Sequence, residues 1–347
     1  MIRYFSKWFA PFGKLYGAVL WMRNKLYDKK IFRSEAPDFP LIVLGNLALG
    51  GTGKTPHTDY LMRMLSQRRI GVLSRGYGRS SKGFVEVSNT STPSECGDEA
   101  LLLKHKHPAS IVAVDSKRLR GIELLRQRHP DLEAILLDDA MQHRKLASGL
   151  RILLTTWQRP FTRDRVLPAG QLRDHPCRAR DAHAIVISKC PPESTESERQ
   201  MMARDFAHLS CPVFFSQLAY GEPRAIDTDA KMAAGEFAHI LLLSGIADAS
   251  LFEAEARDRY PVESHFRYSD HHSFSTRDFK RIRDFIGSFA PGRAAVLTTE
   301  KDTMRLQPYL PDIKRHKMPI FQWPIEVRFF DGGEAFKQLI ENYVGTR

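Results

Sequence analysis

The chain has 347 residues, 42% hydrophobic and 27% charged, which suits a soluble globular protein of one large or two ordinary domains. Its four cysteines, Cys96, Cys177, Cys190 and Cys211, form no C-x-x-C pair, which argues against a zinc site or a disulfide framework. A formal net charge of +12 favours anionic partners, whether nucleic acid, nucleotide or acidic lipid, without choosing among them.

The charge is concentrated at the start. Residues 1–35 hold eight Lys/Arg against two acids, six of the twelve excess charges. Phe5, Trp8, Phe9, Phe12, Tyr16, Val19 and Leu20 recur there at steps of three and four, a helical stripe, and Pro11 suits a helix start. The longest uncharged run, Leu15 to Met22, is too short to span a bilayer, which takes ~20 residues. Residues 1–30 therefore read as an amphipathic helix, either an interfacial anchor or an element packed on its own domain.

Residues 41–45 are a short apolar run followed by a glycine-rich loop and a helical pattern: strand, loop, helix. The loop ends in Gly53-Lys54-Thr55, as a phosphate-binding loop does, but Ala48 stands where the usual pattern has its first glycine. Gly50, Gly51 and Gly53, with Thr52 between them, let backbone N–H groups converge on a phosphate, and Pro56 lies in the first turn of the helix. Lys54 would reach the β- and γ-phosphates of a nucleotide and Thr55 would ligate Mg²⁺. Such a site needs an acid at the end of a neighbouring strand, and Ala134–Leu137 delivers Asp138 and Asp139. Arg75 and Arg79 of "SRGYGR", and Arg173, Arg178 and Arg180 further on, are candidate phosphate or substrate contacts, because a guanidinium fork matches phosphate.

Further apolar runs at 70–74, 111–114, 134–137, 151–155 and 184–188 alternate with helical stretches, predicting an α/β fold with a parallel sheet covered on both faces. Ile240–Leu243 and Ala294–Leu297 begin a second, smaller α/β unit, flanked by Val213–Gln217 and Ile320–Val327 as strands leading out and back. The expected division is 1–30, an N-terminal helix; 31–212, a P-loop core; 213–327, the smaller unit; and 328–347, a helix returning to the core.

Taken together, "GNLALGGTGKTP" (45–56), "LSRGYGR" (73–79), "GDE" (97–99), "LLDDAMQHR" (136–144), "RVLPAGQLRD" (165–174) and "SDHHSF" (269–274) resemble the tetraacyldisaccharide 4'-kinases of lipid A biosynthesis. That family's loop also lacks the glycine at the position of Ala48. The resemblance implies a P-loop NTPase-like fold and transfer of phosphate from ATP, with Mg²⁺, to the 4'-hydroxyl of a tetraacylated glucosamine disaccharide 1-phosphate. It further implies a peripheral enzyme, expected as a monomer, on the cytoplasmic face of a Gram-negative inner membrane.

It suggests Asp98 as general base, paired with His271 of the "DHH" segment, His272 being the neighbour most easily confused with it. Tyr77, Glu99 and Gln142 join Arg75, Arg79 and Arg173 as expected substrate contacts, Glu99 alternatively orienting Asp98 or the metal shell. The chain departs from the family pattern at Ala140-Met141, and at Asp174, a candidate metal ligand where glutamate is usual. A lipid substrate also shifts the N-terminal helix toward the membrane reading.

Two other classes share some of these features. A P-loop ATPase or GTPase switch would use the loop and the aspartates without an acceptor, but a guanine-reading N-K-x-D is echoed only faintly in "SKCP" (188–191) and "TEKD" (299–302). Nucleic-acid binding rests on charge alone, and the basic and aromatic residues gather in the terminal helix, which fits lipid better.

Overall fold

The computed structural model describes residues 10–233 and 235–345. Strands β1 (Leu41–Asn46), β2 (Ile70–Ser74), β3 (Val85–Glu86), β4 (Ile111–Val114), β5 (Ala134–Asp138), β6 (Leu150–Thr156), β7 (Ala184–Ser188), β8 (Val213–Tyr220) and β14 (Ile325–Phe329) form one sheet, ordered β14-β8-β7-β6-β1-β5-β2-β4-β3. Its seven inner strands are parallel; the edges β14 and β3 run antiparallel to their neighbours. All residues of β1, β2, β5 and β7 are buried, as expected for strands covered on both faces.

A second sheet contains β9 (Arg224–Ala225), β10 (His239–Ser244), β11 (Val262–Arg267), β12 (Ala294–Thr299) and β13 (Ile320–Trp323), in the order β11-β10-β12-β13-β9. The apolar run Ile320–Val327 divides at Pro324. Its first part, β13, joins the small sheet, and its second, β14, pairs antiparallel with β8. The chain thus leaves the large sheet along β8 and returns beside it along β14. The helix Gly333–Gly345 then packs Phe336, Ile340 and Val344 into the core beneath β1 and β6.

The N-terminal helix runs from Ala10 to Asp28; Phe5, Trp8 and Phe9 of the aromatic stripe lie outside the described residues. Gly13, Leu20 and Asn24 are buried on one side, with Gly17 half-buried between them. A Cβ on Gly13 would come within 2.8 Å of the Ala169 Cβ, so glycine is what lets this helix lie close on the 165–174 segment. The remaining stripe residues Phe12, Tyr16 and Val19 face outward, together with Leu15, Trp21 and Met22. Among the described residues no helix is long and apolar enough to cross a membrane.

Candidate active site

Register places the site. Leu44 of β1 pairs with Asp138 of β5, so the loop leaving β1 and the two aspartates ending β5 emerge side by side at the carboxyl edge of the parallel sheet, where such folds bind ligands. Gly50, Gly51 and Gly53 all have positive φ (59°, 56° and 82°), conformations that glycine adopts without a steric penalty. Gly53 then caps the helix Lys54–Met64, which brings Thr55 and Pro56 into its first turn. Thr52 is buried, its hydroxyl accepting from Asn46 Nδ2 at 2.6 Å.

Opposite the loop, Asp139 sits at φ 50°, an uncommon conformation for a residue with a side chain. Lys54 Nζ lies 3.9 Å from its Oδ1, and Arg173 grips it through both terminal nitrogens while also donating to Asn46 Oδ1 at 2.7 Å. Burial works to raise the Asp139 carboxyl, but Lys54 and Arg173 outweigh it and hold the group below its ordinary value. Asp138 accepts from the Thr58 hydroxyl at 3.1 Å. Burial, with the like charges of Glu99 and Asp139, pushes its carboxyl up to about 7.

Asp98 begins the helix Asp98–Lys106, where the N-terminal dipole favours a carboxylate. The preceding Gly97, at φ 84°, packs against the Tyr77 loop, and a Cβ there would stand 2.7 Å from the Tyr77 carbonyl oxygen. From the small-sheet side, His271 brings Nδ1 to 3.0 Å from Asp98 Oδ2. Its backbone is held at φ 58° and its N–H donates to the Gly245 carbonyl at 3.2 Å; strained conformations of this kind gather at functional sites. The exposed Tyr77 ring lies 4.7 Å from the His271 ring. His272 turns away and bonds Asp278 at 3.0 Å.

The helix Glu300–Leu306, which follows β12, completes the surroundings. Arg305 donates Nε to Asp98 Oδ2 at 2.7 Å, with Nη2 also on that oxygen, and Nη1 to Asp302 Oδ1 at 2.8 Å. Lys301 Nζ lies 3.0 Å from Glu99 Oε1 and 3.4 Å from His271 Nε2. Burial would raise the Asp98 carboxyl, yet the His271 hydrogen bond and the Lys301 and Arg305 charges hold it well below the usual carboxylate range. At the other end of the same helix pair, Lys106 bridges Glu300 (3.0 Å) and Asp59 (3.0 Å). The loop after β10 also approaches the phosphate loop: Asp248 pairs with Lys189 at 3.4 Å, and a Cβ on Gly50 would meet Ala247 at 3.0 Å.

Other expected site residues are placed differently. Gln142 donates to the Asn46 carbonyl at 2.6 Å, bracing the strand before the loop. Arg75 is exposed at the end of β2. Arg79 turns back onto the carbonyls of Gly83 (2.6 Å) and Val114 (3.4 Å), and Arg178 pairs with Asp181. Asp174 is buried and accepts from Asn24 of the N-terminal helix at 3.1 Å. Sequence reasoning passed over Arg118, buried and donating to the Asp138 carbonyl at 3.0 Å, and over Asn46, Lys301 and Arg305. The last two lie in the "TEKD" neighbourhood, whose acid and base spacing was the signal available.

Comparison with known families matches residues 5–345 to the tetraacyldisaccharide-1-P 4'-kinases. The chain belongs to that family. Among its relatives, the tetraacyldisaccharide 4'-kinase of Parabacteroides distasonis is 37% identical over 99% of this chain and 96% of its own length. The kinase of that name from Flavobacterium johnsoniae is 38% identical, covering 96% of each chain. Among solved structures, the crystal structure of LpxK from Aquifex aeolicus in complex with ATP is similar at 29% identity, 98% coverage of this chain, 99% of that one, and a TM-score of 0.77. A tetraacyldisaccharide 4'-kinase needs an ATP site and a means of accepting a hydroxyl proton. The loop at 45–56 and the contact between Asp98 and His271 lie on the same side of the fold.

Proposed function

We infer that this ATP-dependent kinase of lipid A biosynthesis phosphorylates the 4'-hydroxyl of a tetraacylated glucosamine disaccharide 1-phosphate, with Asp98 and His271 receiving the hydroxyl proton. The acceptor oxygen forms a bond to the γ-phosphorus as the bond to the β-bridging oxygen breaks, and ADP leaves. The observation that carries this reading is the 3.0 Å contact between Asp98 and His271, which joins the two sheets beside the phosphate loop. A switch ATPase has no need of such a pair. The held-down Asp98 stays charged throughout the working pH range. It is a weak base, suited to a transfer in which the proton leaves late, with His271 orienting it and sharing the proton.

Gly50, Gly51, Thr52, Gly53 and Lys54 would cradle the phosphates. The donor set fits Mg²⁺: Asp138, Asp139 and Glu99 crowd their charges together, and a cation would relieve that repulsion. Among the described residues no three His, Cys, Asp or Glu side chains are placed to hold a metal by themselves. Mg²⁺ would be held by Asp138, Asp139, Thr55 and substrate phosphates, with Asp174 a more remote contributor. Bound there, Mg²⁺ would neutralise charge on the transferring phosphoryl group. Arg173 and Lys54 restrain Asp139, Glu99 is restrained by Lys301, and Arg75 and Tyr77 remain the expected acceptor side of the cleft, while Arg79 and Gln142 brace backbone carbonyls around it.

The division into N-terminal helix, core, smaller unit and returning helix belongs to the same reading, with the smaller unit taken between β8 and β14, since both strands lie in the large sheet and the expected bounds at 213 and 327 fall on them. So does attachment to the cytoplasmic face of the inner membrane through the N-terminal helix, supported by its outward Leu15, Trp21 and Met22 beside Lys14, Lys25, Lys29 and Lys30. The test is mass analysis of a reaction with γ-labelled ATP and the disaccharide 1-phosphate. Label in a bisphosphorylated lipid is expected; ATP hydrolysis indifferent to the acceptor would overturn the reading.

A further inference from the structure

A phosphate loop is only as good as the aim of its amide N–H groups, so the groups that hold the loop's carbonyls from behind matter as much as the glycines. Two consecutive peptide units of this loop are held in that way. The Ser188 hydroxyl, at the end of β7, lies 2.8 Å from the Thr52 carbonyl and shares its one hydrogen between that oxygen and the Thr155 carbonyl at 3.0 Å. His57 brings Nδ1 to 2.7 Å from the Gly53 carbonyl, which also accepts the His57 backbone N–H at 3.1 Å. A trans peptide points its N–H opposite to its C=O. Fixing the Thr52 oxygen therefore aims the Gly53 N–H into the cradle, and fixing the Gly53 oxygen aims the Lys54 N–H there.

His57 is itself fixed. A carbonyl can only accept, so Nδ1 carries the proton, and Nε2 takes the hydrogen of the Ser216 hydroxyl at 2.9 Å. His57 is 2% exposed and Ser216 fully buried, and the ring lies edge-on to Phe329. Ser216 and Phe329 are partners across β8 and β14, the two strands that lead out to the small sheet and back.

We propose that His57, held by Ser216, is a positioning residue for ATP: together with Ser188 it orients the backbone amides of Gly53 and Lys54 toward the phosphates and ties that orientation to the strands joining the two sheets. The proposal rests on the phosphate-loop reading above. Its test is ATP affinity of the full-length chain, by calorimetry with Mg²⁺, alongside KM for the lipid acceptor.

His57→Phe keeps a ring but no donor, and should weaken ATP binding roughly five- to tenfold while the acceptor KM stays nearly constant. His57→Asn, whose amide nitrogen can replace Nδ1, should recover most of the loss. Ser216→Ala, a smaller change that stays informative if His57→Phe fails to fold, should show an intermediate effect. Lys54→Met serves as control. If it loses ATP affinity while His57→Phe and Ser216→Ala do not, the brace is wrong. If it too binds ATP normally, the phosphate-loop reading itself falls. An Asn variant as impaired as the Phe variant would reduce His57 to packing and overturn the proposal.

Discussion

Arg305 offers the sharpest test of how Asp98 is tuned. Both side chains are 5% exposed, and Arg305 Nε stands 2.7 Å from Asp98 Oδ2. Charges about 4 Å apart in a medium of effective dielectric about 20 attract by roughly 4 kcal/mol. Even a quarter of that, about 1 kcal/mol, lifts the carboxyl by a little under one pH unit when Arg305 becomes Met. The sign is fixed by the direction of the shift. Asp98 is held below its reference value of 3.8, so the charged form is favoured in the fold, and that stability is present above 3.8 and lost as pH falls below it. In Arg305→Met the contribution is smaller and is exhausted at a higher pH, its onset still set by the unfolded value, and the Asp98 carboxyl titrates higher by that amount or more. Removing one partner of a buried pair also destabilises by roughly 3–5 kcal/mol, which urea unfolding would register, and Arg305→Lys should restore part of both effects. The decisive assay is the titration of the Asp98 carboxyl itself, followed by carbon NMR from neutral pH downward in the parent and in folded Arg305→Met, because the raised Asp138 carboxyl would govern the acid limb of kcat/KM. An Asp98 carboxyl that titrates at the same pH in both would refute the claim that Arg305 sets its charge state.

Three further outcomes are expected. Asp98→Ala should lower turnover by roughly 10²–10⁴-fold while ATP affinity stays close to that of the parent; unchanged turnover would remove Asp98 from the chemistry. Asp139→Asn should raise the Mg²⁺ concentration for half-maximal activity by on the order of tenfold, read from a Mg²⁺ titration at fixed ATP. A variant with Ser at Leu15, Trp21 and Met22, exposed by 67%, 52% and 56%, should lose sedimentation with anionic vesicles while its stability changes by only about 0.5 kcal/mol per site. Vesicle binding at the parent level would contradict the anchor.

The strand–loop–helix around Gly53 and the paired aspartates were legible because they are local: an apolar run, positive-φ glycines and acids at a strand end each leave a signal within a few residues. The partners of those groups were not. Arg173 reaches Asp139 across 34 positions, and Arg305 reaches Asp98 across 207. "SKCP" and "TEKD" read only as faint guanine-binding echoes, whereas Ser188 lies behind the loop and Lys301 stands between Glu99 and His271. The aromatic stripe of the N-terminal helix was visible, but its facing was not. Periodicity marks a face without saying which side packs, and here glycines and Asn24 make the contact.

Arg173 and Asp174 are neighbours with opposite allegiances: the first holds Asp139, the second is held by Asn24. The N-terminal helix is thus a structural member of the cleft as well as its outer flank. A truncated version would strip Asp174 of its Asn24 partner and loosen the dipeptide that steadies Asp139. A foreign helix grafted in its place would lack Asn24 and the close-packing Gly13, so the segment cannot be exchanged like a tag.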